Sequence, residues 1–221
     1  MVNKEKYLSL NDHLKKKGVT LVAVSKLKSV EDIKELYDLG QRDFGENYVQ
    51  ELMDKQPLLP DDIRWHFIGH LQSNKVKYIA SFIHLIQSVD SISLLKEIDK
   101  QGAKHNRRIN CLLQVHIAGE QTKFGFEEGE VLNIQTEEYR HLQISGLMGM
   151  ASFTEDNDMV IAEFKKLTAL YHKLDKSEHP ASGIHLSVNN ILCMGMSDDY
   201  GLAINCGSNM VRIGSLIFGR R

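Results

Sequence analysis

The stretch TLVAVSKLKSVEDIKELYDLGQRDFGENYVQE, residues 20–51, decides the fold. Its apolar run at 20–25 is typical of a strand that is covered on both faces, and the run ends at Lys26. Ser29 then predicts the capped start of a helix, and a second strand follows at 43–48. The stretch is therefore one strand–helix–strand unit that presents a lysine at the end of its first strand.

The same alternation continues to the end of the chain. Further strands are predicted at 65–69, 85–90, 109–117, 144–151, 191–196 and 210–215. Helical periodicity fills most of the gaps and is clearest at 158–174. Eight strands alternating with helices predict the α/β class and a single (β/α)8 TIM barrel over residues 1–221. In this fold the chemistry lies where strands end, so those positions are the candidates.

Composition excludes several classes of protein. The signs of charge are well mixed and sum to −2, so neither a nucleic-acid partner nor a membrane surface is indicated. No segment approaches the roughly 18 apolar residues that span a bilayer, and the first ten residues lack the apolar core of a signal peptide. We therefore expect a cytoplasmic protein. We also expect the protein to be a monomer. Three cysteines without paired spacing favour neither a disulfide framework nor a zinc site.

Lys26 is the first candidate for chemistry. Its stem starts in apolar surroundings, and desolvation lowers the pKa of a lysine, which favours attack on an aldehyde to form a Schiff base. The alternative is an ordinary lysine that reaches from the strand end into water. Lys26 therefore needs partners before a site can be assigned.

The loops after the last two strands supply such partners. Ser197 is predicted to cap a short helix that runs to about Asn205, while Gly214 and Ser215 offer main-chain N–H groups that an anion can approach. In these barrels the loops after strands seven and eight frequently bind phosphate. Arg212, two residues before Gly214, is expected to point inward. The alternative is a capped helix and a Gly-Ser turn, with the arginine paired to a carboxylate.

A Schiff-base lysine across the barrel mouth from a phosphate cradle indicates pyridoxal 5′-phosphate (PLP), which carries an aldehyde and a phosphate on one ring. An arginine at the ring nitrogen does not give up its proton, so the pyridine would stay neutral and act as a weaker electron sink.

The chain resembles a known family in six ordered motifs. These are LVAVSK (21–26), FGENYVQE (44–51), WHFIGHLQSNK (65–75), SGLMGM (145–150), MGMSDD (194–199) and GSNMVRIGSLIFG (207–219). They resemble the pyridoxal phosphate homeostasis protein family, and they extend from residue 21 almost to the C-terminus. The resemblance implies a barrel like the N-terminal domain of alanine racemase.

The resemblance also implies roles for individual residues. Lys26 matches the lysine that holds PLP covalently, and Arg212 matches the residue at the pyridine nitrogen. The implied phosphate ligands are Ser197, Gly214 and Ser215, and the other implied pocket residues are Asn47, His66 and Met196. Two regions depart from the family pattern, at Cys193, where a serine is common, and at His116 with Phe124.

Three functions remain open at this point. The first is a PLP-binding protein of intracellular cofactor homeostasis, with PLP-dependent apoenzymes as possible partners and no turnover. The second is a single-domain amino-acid racemase or lyase, which the chain's end at Arg221 disfavours because no second domain supplies an opposing base. The third is a sugar-phosphate aldolase that uses Lys26. No metal site is expected, because the spacing of His66 and His70 falls on a strand and turn.

Overall fold

A computed structural model describes residues 2–119, 124–175 and 190–219 of the protein. Within these ranges the eight predicted strands are all present. They are β1 Thr20–Val24, β2 Asp43–Glu46, β3 Arg64–Phe67, β4 Leu85–Val89, β5 Ile109–Val115, β6 Leu142–Gly149, β7 Ile191–Cys193 and β8 Met210–Ile213. All eight end one to three residues before the predicted boundary, because the predicted ranges included the first residues of the turn or loop that follows each strand.

The strands form a closed parallel barrel in sequence order, with β1 pairing with both β2 and β8. Thr20 is level with Met210, and Ala23 with Ile213, so the closing seam brings the ends of β1 and β8 together. The prediction of a (β/α)8 barrel is confirmed. Lys26 and the residues after Ile213 consequently lie at the same mouth of the barrel, the one formed by the carboxyl ends of the strands.

Helices surround the barrel between the strands. Their bounds are α1 Lys4–Lys16, α2 Val30–Asp38, α3 Val49–Lys55, α4 Val76–Ile79, α5 Ile92–Lys104, α6 Glu128–Leu132, α7 Asn157–Asp175, α8 Tyr200–Asn205 and α9 Ser215–Phe218. The predicted cap at Ser29 is confirmed, because its side chain accepts a hydrogen bond from the N–H of Asp32 at 3.2 Å. Within the described ranges, no helix combines the length and the apolar character that crossing a bilayer requires.

The apolar core has two layers. The larger lies between the strands and the surrounding helices, as in other barrels. The smaller fills the barrel interior and consists of Val22, Leu85, Leu112, Met148, Cys193 and Met210. Polar interior side chains above and below this second layer leave a cavity at each end of the barrel.

Candidate functional site

A cavity of about 460 Å³ opens at the carboxyl ends of β1, β6, β7 and β8. This volume lies within the range of small-molecule sites. The sequence-predicted residues Lys26, Met196, Ser197, Arg212, Gly214 and Ser215 all line it. The structure thus brings together six residues that come from three separate loops and one strand.

Lys26 lies in a tight turn directly after β1. The N–H of Lys28 donates to the carbonyl of Ser25 at 3.0 Å and closes the turn. Leu27, the residue after the lysine, has a backbone φ of 59°, a conformation that residues other than glycine rarely adopt. Lys26 itself is partly exposed, and Lys28 lines the same cavity.

Arg212 projects into the barrel from β8 and is 4% exposed. Its Nε and Nη2 atoms are buried and have no hydrogen-bond partner among the described residues. A buried donor without a partner costs about 1–3 kcal/mol, and more when it is charged. The carboxyl of Asp199 interacts with the charge of Arg212: burial raises the pKa of Asp199, although the N–H of Met196 and the charge of Arg212 act against this.

Ser197, Gly214 and Ser215 form one wall of the cavity. The N–H of Gly214 approaches the Oγ of Ser197 at 3.4 Å. A Cβ atom on Gly214 would lie 3.1 Å from both the side chain and the carbonyl of Val24, which explains a glycine here. The absence of a side chain lets the end of β8 close against the end of β1, beside the lysine turn.

The prediction that Ser197 caps a helix is wrong. Helix α8 begins at Tyr200, and its cap residue is Asp199. The carboxylate of Asp199 accepts a hydrogen bond from the N–H of Met196 at 2.6 Å, which folds residues 196–199 into a turn before the helix. The hydroxyl of Ser197 instead accepts a hydrogen bond from the N–H of Gly214, and Ser197 lines the cavity.

The structure places Asn47 and His66 away from this cavity. Asn47 lines a separate pocket with His70, between the loops after β2 and β3. His66 points inward from β3, but its Nε2 donates to Asp43 at 3.0 Å and its Nδ1 accepts from Gln87 at 2.9 Å. These partners turn the imidazole toward the amino-terminal end of the barrel.

At that opposite end, Asp43, His66 and His84 form the one grouping of three metal-type side chains found within the described ranges. Arg64 already occupies the carboxylate of Asp43 through two hydrogen bonds, one of them Nε to Oδ1 at 2.8 Å. Burial alone would raise the pKa of Asp43, but Arg64 and His66 outweigh it and hold that pKa well below its usual range. At this end of the barrel, Asp43 is therefore paired with Arg64 and hydrogen-bonded to His66.

We expect acid to weaken the fold through His84. Desolvation of its ring against the end of the barrel lowers its pKa from 6.5 to about 4, although the residue keeps contact with solvent. The unfolded chain then binds more protons between these pH values, so the free energy of unfolding should fall as the pH drops through this window. Urea denaturation of the wild type and His84→Asn at pH 7 and about pH 4.5 measures this.

The wild type should lose stability relative to His84→Asn between those two conditions. The comparison also removes the effect of Glu46, whose pKa burial raises and which therefore acts with the opposite sign. A stability difference that stays constant, or one that shifts in favour of the wild type at low pH, would contradict the prediction.

The departures from the family pattern lie in different places. Cys193 is fully buried inside the barrel, where its thiol donates to Gln87 at 3.2 Å, and it does not line the cavity. His116 contacts Glu127 at 3.1 Å, and Phe124 stacks on the ring of His70 with centroids 4.4 Å apart. Residues 120–123, between them, lie outside the described ranges.

Sequence reasoning missed the side chains that hold the lysine turn in place. These are Glu46, at the end of β2, together with Glu51 and Lys55 of α3. The i, i+4 spacing of Glu51 and Lys55 was the available signal, but on a helix it usually indicates an exposed ion pair. Only the barrel brings this pair against the end of β1.

Comparison with known proteins gives a consistent result over nearly the whole chain. The family model described as alanine racemase, N-terminal domain, matches residues 4–221. The pyridoxal phosphate homeostasis protein of Pasteurella multocida (strain Pm70) is 39% identical over 211 residues, covering 92% of this chain and 87% of that protein. The protein of the same name in Schizosaccharomyces pombe is 39% identical over 209 residues, covering 93% and 85%.

A solved structure is also similar throughout. PipY of Synechococcus elongatus PCC7942, with PLP bound, has a TM-score of 0.86 and 33% sequence identity to this chain. The match covers 97% of this chain and 99% of PipY. The similarity therefore includes the strands and loops that form the cavity.

Proposed function

This chain belongs to the pyridoxal phosphate homeostasis protein family, and from that membership we propose that it binds PLP in the cavity beside Lys26 and takes part in intracellular homeostasis of the cofactor. PipY, which is similar over almost its entire length, has been solved with PLP bound. The donors around the cavity fit such a ligand.

One observation carries the proposal. Arg212 keeps two buried guanidinium nitrogens, Nε and Nη2, without partners among the described residues, in the lining of a cavity that also contains Lys26. An acceptor on a bound ligand would remove this cost. A guanidinium stays protonated, so it can donate to a ring nitrogen but does not transfer its proton. Arg212 is thus assigned to the pyridine nitrogen.

Lys26 is assigned the covalent attachment. When bound, PLP supplies an aldehyde that reacts with primary amines. Lys26 presents its amine from a turn that hydrogen bonds fix, at the cavity's edge. Lys28 adds a second positive charge to the same lining, with its Nζ donating to the carbonyl of Phe218 at 3.3 Å.

Ser197, Gly214 and Ser215 are assigned to the phosphate. A hydroxyl and main-chain N–H groups are suitable donors to phosphate oxygens. The close approach of Gly214 to Val24 fixes this wall relative to the lysine turn, and Met196, which is 40% exposed, borders it on the solvent side. The residues assigned to the aldehyde and to the phosphate of PLP therefore both lie at the seam between β8 and β1.

A role in storing and delivering the cofactor has a chemical reason. A free aldehyde condenses with the amines of the cell, so a protein that holds PLP reversibly limits such reactions. PLP-dependent apoenzymes are the partners that this role implies. We propose that the protein works in the cytoplasm as a monomer and without turnover.

Uptake of PLP by the purified protein tests the proposal. The protein is incubated with PLP and separated from free cofactor by gel filtration, and the visible spectrum is then recorded. We expect a retained chromophore at about one equivalent per chain, with an absorption band distinct from that of free PLP. A colourless protein after this treatment would reject PLP binding. Steady racemisation or cleavage of an amino acid would reject the role without turnover.

A further inference from the structure

A buried ionic network lies behind the turn that carries the lysine. Lys55 donates from Nζ to Glu46 Oε1 at 2.8 Å, to Glu51 Oε1 at 2.6 Å and to the carbonyl of Ser25 at 2.9 Å. Glu46 is fully buried and Lys55 is 6% exposed. Burying these charges is costly unless hydrogen bonds compensate. We refer to Ser25, Glu46, Glu51 and Lys55 as the Lys55 network.

The Lys55 network contacts the residue on each side of Lys26. On one side, the hydroxyl of Ser25 donates to Glu46 Oε1 at 2.6 Å. On the other side, the N–H of Leu27 donates to Glu51 Oε1. The residues before and after Lys26 are therefore held by the carboxylates of Glu46 and Glu51. Both carboxylates in turn accept hydrogen bonds from the ammonium of Lys55.

The backbone conformation of Leu27 depends in part on the hydrogen bond between its N–H and Glu51. Its φ of 59° lies in the left-handed region, which costs a residue other than glycine roughly 1–2 kcal/mol. Such a conformation persists only where the surrounding structure holds it. The side chain of Leu27 is 60% exposed, so packing supplies little of that support. The hydrogen bond from the Leu27 N–H to Glu51 therefore helps to hold this conformation, together with the Lys28–Ser25 bond that closes the turn.

We propose that Glu51 and Lys55 are positioning residues, which fix the turn at residues 25–28 so that the amine of Lys26 is presented to the cofactor. This inference rests on the proposed function, because it assumes that Lys26 is the point of attachment. Neither residue lines the cavity, so both act through the backbone on either side of the lysine.

Glu51→Ala is the sharpest test, because it removes the acceptor for Leu27 while Lys55 keeps its bond to Glu46. The conservative Glu51→Gln retains an oxygen that accepts from the same N–H. Asp54→Ala on the same helix is the matched control, since that exposed carboxylate accepts only from Gln50 among the contacts described. Hydrogen exchange of residues 25–28 in the cofactor-free protein and the dissociation constant for PLP are measured for each.

We expect Glu51→Ala to speed exchange at the Leu27 amide and to weaken PLP binding, each by about tenfold, as for one lost hydrogen bond to a charged group. Glu51→Gln should recover most of both effects, and Asp54→Ala should show neither. Faster exchange with unchanged PLP affinity would overturn the positioning role, and so would unchanged exchange. Failure of the wild type itself to take up PLP would instead reject the proposed function, and the inference with it.

Discussion

Lys26→Ala is expected to abolish covalent uptake of PLP. Alanine has no amine that could react with the aldehyde. Arg212 and the residues assigned to the phosphate, Ser197, Gly214 and Ser215, would then hold the ligand by non-covalent contacts alone. The protein should elute colourless from gel filtration after incubation with PLP. The fold should persist, because Lys26 is a partly exposed turn residue outside β1.

Lys28→Ala is the matched control for this change. Lys28 lines the same cavity two residues further along the chain, so its loss removes a similar charge. Because Lys28 is partly exposed, its charge should contribute about 1 kcal/mol or less, and the chromophore should be retained with an affinity within about tenfold of the wild type. Retained colour in Lys26→Ala together with loss in Lys28→Ala would contradict the assignment.

Gly146→Ala is expected to have the largest effect on stability. Gly146 has a φ of 149°, and a Cβ atom there would lie 1.9 Å from the carbonyl oxygen of Ile191 in the adjacent strand β7. A main-chain atom of a barrel strand cannot move away cheaply. The free energy of unfolding should fall by about 3 kcal/mol or more, measured by urea denaturation.

The register explains why a glycine is required at this position. Cys111 of β5 pairs with Ile144, but the next residue, Leu112, pairs with Gly146, so β6 carries one extra residue. Such a bulge bends the strand and increases its twist. It thereby aligns β6 with the start of β7, the strand that leads to Met196 and Ser197 in the cavity.

Gly201→Ala serves as the control for Gly146→Ala. Gly201 lies in α8, and an added Cβ would meet nothing within 4 Å. Alanine there should stabilise the protein by about 0.5–1 kcal/mol, because glycine is unfavourable within a helix. A loss of less than about 1 kcal/mol in Gly146→Ala would show that the β6–β7 contact is not as tight as the structure indicates.

Local patterns were sufficient to predict the barrel. Most strands contain a short run of apolar residues, and most of the gaps between them show helical periodicity, so alternation alone limits the topology. Ends were predicted less well. The strand predicted at 210–215 ends at Ile213, and the chain turns at Gly214 into α9, so the glycine was the available signal for the end of the strand.

The positions of candidate residues could be predicted where the ends of the strands determine them. The positions of Lys26, shortly after β1, and of Arg212, on β8, could be predicted because the barrel seam brings these two strands together. The contacts of His66 were not predictable, because an inward-facing residue can turn toward either end of the barrel. Its partners Asp43 and Gln87 lie on different strands, so only the closed sheet reveals them. The same applies to Lys55, whose acceptors lie up to 30 residues away.

The central claim is that Lys26 is the residue to which PLP becomes attached. Reduction of the PLP-loaded protein with borohydride makes a bond between the cofactor and a lysine nitrogen permanent, and peptide mass spectrometry then locates it. We predict one modified residue, Lys26, in the peptide that follows β1. Modification of Lys28 or of a lysine elsewhere in the chain, with Lys26 unmodified, would contradict the account.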